Sequence, residues 1–251
     1  MLKPFAAFVF AFSGLIFSLG HDAEAQTYQF SPIFAQVGTS GPTASTTFVA
    51  KNVSTEMVAL EVKLVKRSHS LDGVENRVSD DTDFIISPPQ MVLKPGQSQS
   101  VRVQYVGDPK VDVEQAYRIL VNQVSIDFEQ KSSGAKVLVN YNYEVAFYVT
   151  PAKAKPEISL VSVEKMAGEN GRPMLGVTLE SKGNTRAILS GPQLSVTSKG
   201  KSVALSGDAV KDLEGAVIMA KSKRRIALPW PAGLPDDALS GQLKTDFIKF
   251  Q

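Results

Sequence analysis

Two consecutive immunoglobulin-like β-sandwiches, an all-β chain, are predicted by three features of the sequence. Short β-branched and apolar runs succeed one another at sandwich spacing, punctuated by Gly, Asn, Ser, Lys and Pro. No amphipathic helix of ordinary length stands out, Val111–Gln115 reading as a single turn. Midway, Pro151-Ala-Lys-Ala-Lys-Pro156 combines two prolines with small and basic residues, the composition of a stiff link. The expected division is a signal at 1–25, a first sandwich at 26–150, a link at 151–156 and a second sandwich at 157–251.

The N-terminus reads as an address. Met1-Leu2-Lys3 is a short positive start, Phe5–Leu19 is apolar and uncharged, and Ala23-Glu24-Ala25 offers a cleavage site before Gln26. The run is short for a membrane span of ~20 residues, so cleavage is expected rather than a retained anchor. No other segment reads as a span, and the mature chain is expected to be soluble and exported, into a bacterial periplasm.

Along the mature chain, Thr46–Ala50 and Val58–Val65 read as strands, the second with Leu60, Val62 and Leu64 alternating against Glu61, Lys63 and Val65. Phe84–Ser87 is a third, ended by Pro88-Pro89, whose rings force an extended corner. Met91-Val92-Leu93 leads into a turn at Lys94-Pro95-Gly96, and Ser100–Val103 follows. Tyr117–Phe128 and Val137–Val149 are long strands flanking a polar hairpin loop at Glu129–Lys136. Beyond the link, strands are expected at Ile158–Val163, Leu175–Glu180, Ala187–Leu189, Gln193–Val196, Ser202–Leu205, Ala216–Met219 and Arg225–Leu228.

Composition excludes several functions. Without Lys3, Asp22 and Glu24, 26 basic residues face 23 acidic ones, dispersed, which is unlike a nucleic-acid binder. There is no cysteine, hence neither disulfide nor thiol chemistry. His69 is the only histidine beyond the signal, too little for a histidine-based catalytic set, and no G-x-S-x-G or phosphate-cradling glycine loop occurs. Asp80, Asp81 and Asp83 lack the order of a calcium loop and read as a solvated turn. No enzyme, metal or cofactor is expected.

Phe84–Val103, with its Pro-Pro corner, Pro95-Gly96 and Val101-Arg102-Val103, resembles the first domain of the PapD-like periplasmic pilus chaperones. Ser181-Lys-Gly-Asn184 and Ala220-Lys-Ser-Lys-Arg-Arg-Ile-Ala-Leu resemble corners of that family's second domain; on their own they read as a turn and a solvated basic edge. The resemblance implies a chaperone that caps fimbrial subunits by lending them a strand and delivers them to an outer-membrane usher. It implies sandwiches set at an angle, with a cleft near Arg118. An exported tandem-sandwich adhesion module without chaperone role is the alternative.

In Val137–Val149 the odd positions share one face. The resemblance places the lent residues at Val137, Val139, Tyr141 and Tyr143, whereas Val145, Phe147 and Val149 are expected in the chain's own core. Family members grip the subunit's C-terminal carboxylate with basic residues at positions that fall here near Phe34 and Ala146, neither of them basic. That departure is similar to the archaic and alternative branches, which carry a Tyr-Arg pair, here Tyr117-Arg118. Arginine suits the role because it binds a carboxylate through two parallel hydrogen bonds. Arg118 is the first candidate anchor and Arg102 the second.

Overall fold

The computed structural model describes residues 27–79, 82–124, 140–168 and 171–248. The expected signal, the Glu129–Lys136 loop, Val137 and Val139 lie outside them. The described chain is strand and turn almost throughout.

The first half packs two sheets face to face. One is antiparallel, in the order β1 (Tyr28–Ser31), β3 (Ser45–Asn52), β8 (Ser98–Tyr105), β6 (Phe84–Ser87). The other runs β2 (Phe34–Val37), β10 (Asn142–Val149), β9 (Gln115–Val124), β4 (Val58–His69), β5 (Glu75–Ser79), with β7 (Gln90–Leu93) also paired to β4. The β2–β10 pair is parallel. Pro32 and Pro88 stand where the chain leaves the first sheet for the second, between β1 and β2 and between β6 and β7. A residue that cannot donate to a ladder and holds its predecessor extended is suited to end one pairing and begin another.

Alternation fills the space between the sheets. Leu60, Val62 and Leu64 of β4 point inward while Glu61, Lys63 and Val65 face out, as expected from the sequence. Phe84 is the hub, its ring 4.8 Å from Tyr117 and 5.6 Å from Phe147, both edge-on.

The second half has its own core, centred on Leu175, Val177, Leu179, Leu189, Leu194, Val196 and Leu228. One sheet is β11 (Ile158–Ala167), β12 (Pro173–Ser181), β16 (Lys223–Pro229). The other is built on β13 (Ala187–Ser198), with β14 (Lys201–Leu205), β15 (Val217–Ile218) and β17 (Leu239–Phe247).

Three expectations need correction. Val111–Gln115 is not a helical turn: the segment is irregular and Gln115 opens β9. Ala187–Leu189 and Gln193–Val196 are one strand interrupted between Ser190 and Gln193, where Gly191 takes φ +59° and the strand changes partners. Strands β5 and β17 were not foreseen. All five residues of β5 are polar or exposed, and β17 dilutes its inward leucines with glycine and threonine.

The halves are bonded to each other. Asn184 donates to the carbonyls of Asp112 (3.0 Å) and Lys153 (3.1 Å) and accepts from the Lys155 amide (2.8 Å). A Cβ on the adjacent Gly183 would lie 2.3 Å from the Lys155 carbonyl oxygen, so that corner requires glycine. The second motif is likewise more than a solvated edge. The Arg225 amide donates to the Leu71 carbonyl (2.6 Å) and its side chain pairs with Asp72 (2.7 Å), clamping the β4–β5 hairpin tip.

Candidate functional site

Strand β10 has two unlike halves. Val145, Phe147 and Val149 are fully buried in the first core. Tyr143, half-buried, packs against the edge of that core, as does Tyr141, which the expected Val137–Val149 strand included but which precedes β10 in the structure. The Tyr143 ring lies 5.1 Å from Tyr28, and its hydroxyl donates to the Tyr28 carbonyl (3.2 Å). The buried Tyr28 hydroxyl in turn reaches the Val121 (2.7 Å) and Tyr141 (3.1 Å) carbonyls. β9 pairs with the whole strand, Asn142–Val149, whereas β2 flanks only Ala146–Val149.

The outward face of the same sheet carries charge. One rung reads Phe34, Ala146, Arg118, Val65, Ser79 across five strands. Beside it, Arg67 pairs in register with Arg77, and His69 with Glu75. Glu75 is the centre of the cluster. Its carboxylate accepts from Arg67 Nη1 (3.0 Å), Arg77 Nε (2.7 Å) and Arg118 Nη2 (2.9 Å). Arg77 also grips Glu144 through both terminal nitrogens, at 2.8 and 2.5 Å.

Burial works to raise the Glu75 carboxyl, but hydrogen bonds from Arg118 and Arg77 and the charges of Arg118 and Arg67 prevail, holding it down to about 2. Glu144 is also lowered, chiefly by its hydrogen bond from Arg77. The cluster is therefore ionised throughout the neutral range, and its chemistry is anion binding rather than proton transfer.

A relay of rings and charges leads from this cluster to the second sandwich. Arg67 hydrogen-bonds the Tyr148 hydroxyl and lies over its ring. Arg186 stacks on that ring, 3.8 Å from its centroid. Arg186 also donates to Gln36 (3.0 Å) and forms an ion pair with buried Glu114, which accepts further bonds from Thr150 (3.0 Å) and Thr185 (2.7 Å).

The two candidate anchors are not brought together. Arg102 is exposed on the outer side of the other sheet, where it donates to Ser45 Oγ (3.3 Å). Arg118 lies at the centre of the charged face. Tyr117 points the opposite way from its neighbour, into the core against Phe84, and the tyrosine serving the arginine face is Tyr148. Sequence reasoning missed Glu75, Arg67, Arg77 and Tyr148. The signal for the first three was Asp72-Gly73, a hairpin dipeptide flanked by alternating charged residues; Gly73 has φ +82°.

His69 ends β4 and contacts Ser222 (3.2 Å) across the junction. Asp80 and Asp81 lie outside the described residues, among which no group of histidine and carboxylate side chains is placed to hold a metal.

Residues 35–155 match the model for the pili and flagellar-assembly chaperone, PapD N-terminal domain. The first sandwich is thus a pilus-chaperone N-terminal domain of the PapD type. No curated protein matches the chain. Among solved structures this chain is similar to a chain of the CsuC–CsuE chaperone–tip adhesion subunit pre-assembly complex from the archaic chaperone–usher Csu pili of Acinetobacter baumannii. The two share 18% identity over 89% of this chain and 97% of that one, with a TM-score of 0.57. It is similar to the class 5 fimbriae chaperone CfaA, at 17% identity over 89% and 94% of the two chains, TM-score 0.57. It is also similar to a chain of the Salmonella enterica SafA pilin–SafB chaperone complex, at 14% identity over 89% and 92%, TM-score 0.51. These likenesses establish the fold, tandem immunoglobulin-like sandwiches. The family of that domain is periplasmic and non-enzymatic, and a chaperone role is the coarse assignment for this chain.

Phe34 and Ala146, near which the resemblance places the usual basic pair, are direct neighbours across β2 and β10, and Arg118 stands one strand further on.

Proposed function

We propose that this PapD-like chaperone holds fimbrial subunits in the periplasm by strand donation and hands them to an outer-membrane usher, in the manner of the archaic or alternative branches. One observation carries the reading: β2 accompanies β10 only along Ala146–Val149, so its ladder stops short of Tyr143 and the candidate donor residues before it. Val137, Val139 and Tyr141 supply the donated side chains. Tyr143, resting on Tyr28, is the foot of the donated run. Each buried valine contributes ~1.5–3 kcal/mol, and the backbone ladder adds direction. Arg118 anchors the subunit's C-terminal carboxylate; Arg102, on the far sheet, is left to its surface contact.

The test is co-production with a fimbrial subunit, wild type against Val139→Asp. A one-to-one complex should form with wild type and weaken by at least about a hundredfold in a folded variant, because an aspartate would enter an apolar groove. A complex indifferent to the charge would sink strand donation and favour a binding module without chaperone role.

A further inference from the structure

The anchoring role just given to Arg118 raises the question of how its guanidinium is aimed. Arg118 meets Glu75 through one edge only. Nε lies 3.3 and 3.2 Å from the two carboxylate oxygens, and Nη2 lies 2.9 Å from Oε2. A guanidinium has a second two-nitrogen edge, Nη1 with Nη2, and Nη1 makes no hydrogen bond among the described residues. Glu75 is itself fixed from two other sides by Arg67 and Arg77, and Arg77 is tied to Glu144. Three guanidinium groups thus face two carboxylates, leaving one positive charge, the complement of one incoming carboxylate.

We infer that Glu75 is the positioning residue of the anchor. It holds the Nε–Nη2 edge of Arg118 so that the Nη1–Nη2 edge is presented to the subunit's C-terminal carboxylate. A free arginine loses much rotamer freedom on binding, and one already held by a carboxylate has lost it during folding. The arrangement accounts for an anion site on a surface whose arginine is already paired: the pairing orients the donor and leaves its second edge available. The inference rests on the anchoring reading.

The readout is discrimination, the ratio of affinities for a co-produced fimbrial subunit carrying its natural C-terminal carboxylate and for the same subunit amidated by intein cleavage. A purely structural role would lower both affinities together and leave the ratio alone. Wild type should favour the carboxylate, and Arg118→Ala should bring the ratio near one. Glu75→Gln should lower it about tenfold, the worth of one arginine's rotamer freedom. Glu144→Gln removes the same charge without touching Arg118 and should leave the ratio within about twofold of wild type. Glu75→Asp keeps the charge but withdraws the carboxylate, so it should also lower the ratio, which covers the case of a poorly folding Glu75→Gln. An unchanged ratio in both Glu75 variants overturns the inference, as does a raised one, which would make Glu75 a competitor for the anchor. If Arg118→Ala leaves the ratio of wild type, the anchoring reading fails and this inference with it.

Discussion

Arg186 with Glu114, and Arg118 with Glu75, are the same pair of side chains in two settings. At the junction of the sandwiches the pair is nearly dry, with side chains 5% and 2% exposed. On the outer face of the first sandwich both side chains are 22% exposed. Glu114 spends its oxygens on Thr150, Thr185 and the amide and guanidinium of Arg186, and Arg186 is covered by the ring of Tyr148. In the outer pair, Arg118 Nη1 makes no hydrogen bond among the described residues. Burial turns an ion pair into a strut, because neither charge can be left alone in a low-dielectric setting. Partial exposure leaves one able to accept a third charged group.

The difference is broken most severely at the junction. Glu114→Ala strands Arg186 in a buried site and should destabilise the folded chain by about 3–5 kcal/mol, read as a lowered denaturation midpoint. A loss under about 1 kcal/mol would mean that the stacked tyrosine and Gln36 carry the arginine without its carboxylate.

Acid sharpens the comparison next. The Glu75 carboxyl is held well below its unfolded value of about 4.5, so its contribution to stability is complete above that pH. As pH falls from about 4.5 through about 2, the contribution, on the order of 2 kcal/mol, should disappear. Glu75→Gln should flatten the stability profile over that window, and an unaltered acid limb would show that the cluster does not hold the carboxylate charged. The smallest effect belongs to the outermost pair. Glu144→Gln should cost about 0.2–1 kcal/mol, less at high salt, because Arg77 and Glu144 remain in contact with water.

Much of the first sandwich was legible because it uses strong local rules. The alternation in Val58–Val65, the Pro88-Pro89 corner and the Lys94-Pro95-Gly96 turn each specify one backbone outcome, and the structure follows them. Strand β5 was not legible by apolar periodicity, since its five residues bury no face. β13 read as two strands because Gly191-Pro192 looks like a turn, yet the ladder with β17 resumes after a bulge. The site was half legible. Arg118 was singled out by the resemblance, through its Tyr-Arg pair, but its partner Glu75 lies 43 positions away and meets it only because β4 pairs with β5 on one side and β9 on the other. Local sequence specifies which face a side chain takes; which strands become neighbours is decided by long-range pairing.

The corner at Pro32 carries a quantitative consequence. The parallel register ties Phe34 to Ala146, so the position of that proline sets how much of β10 is matched by β2. Pro32 therefore acts as a ruler for how much of β10 is left unmatched by β2. Two residues inserted after Phe30 would postpone the crossover and carry the start of β2 one inward-facing position further along β10. The same sequence, measured off differently, would offer a longer strand.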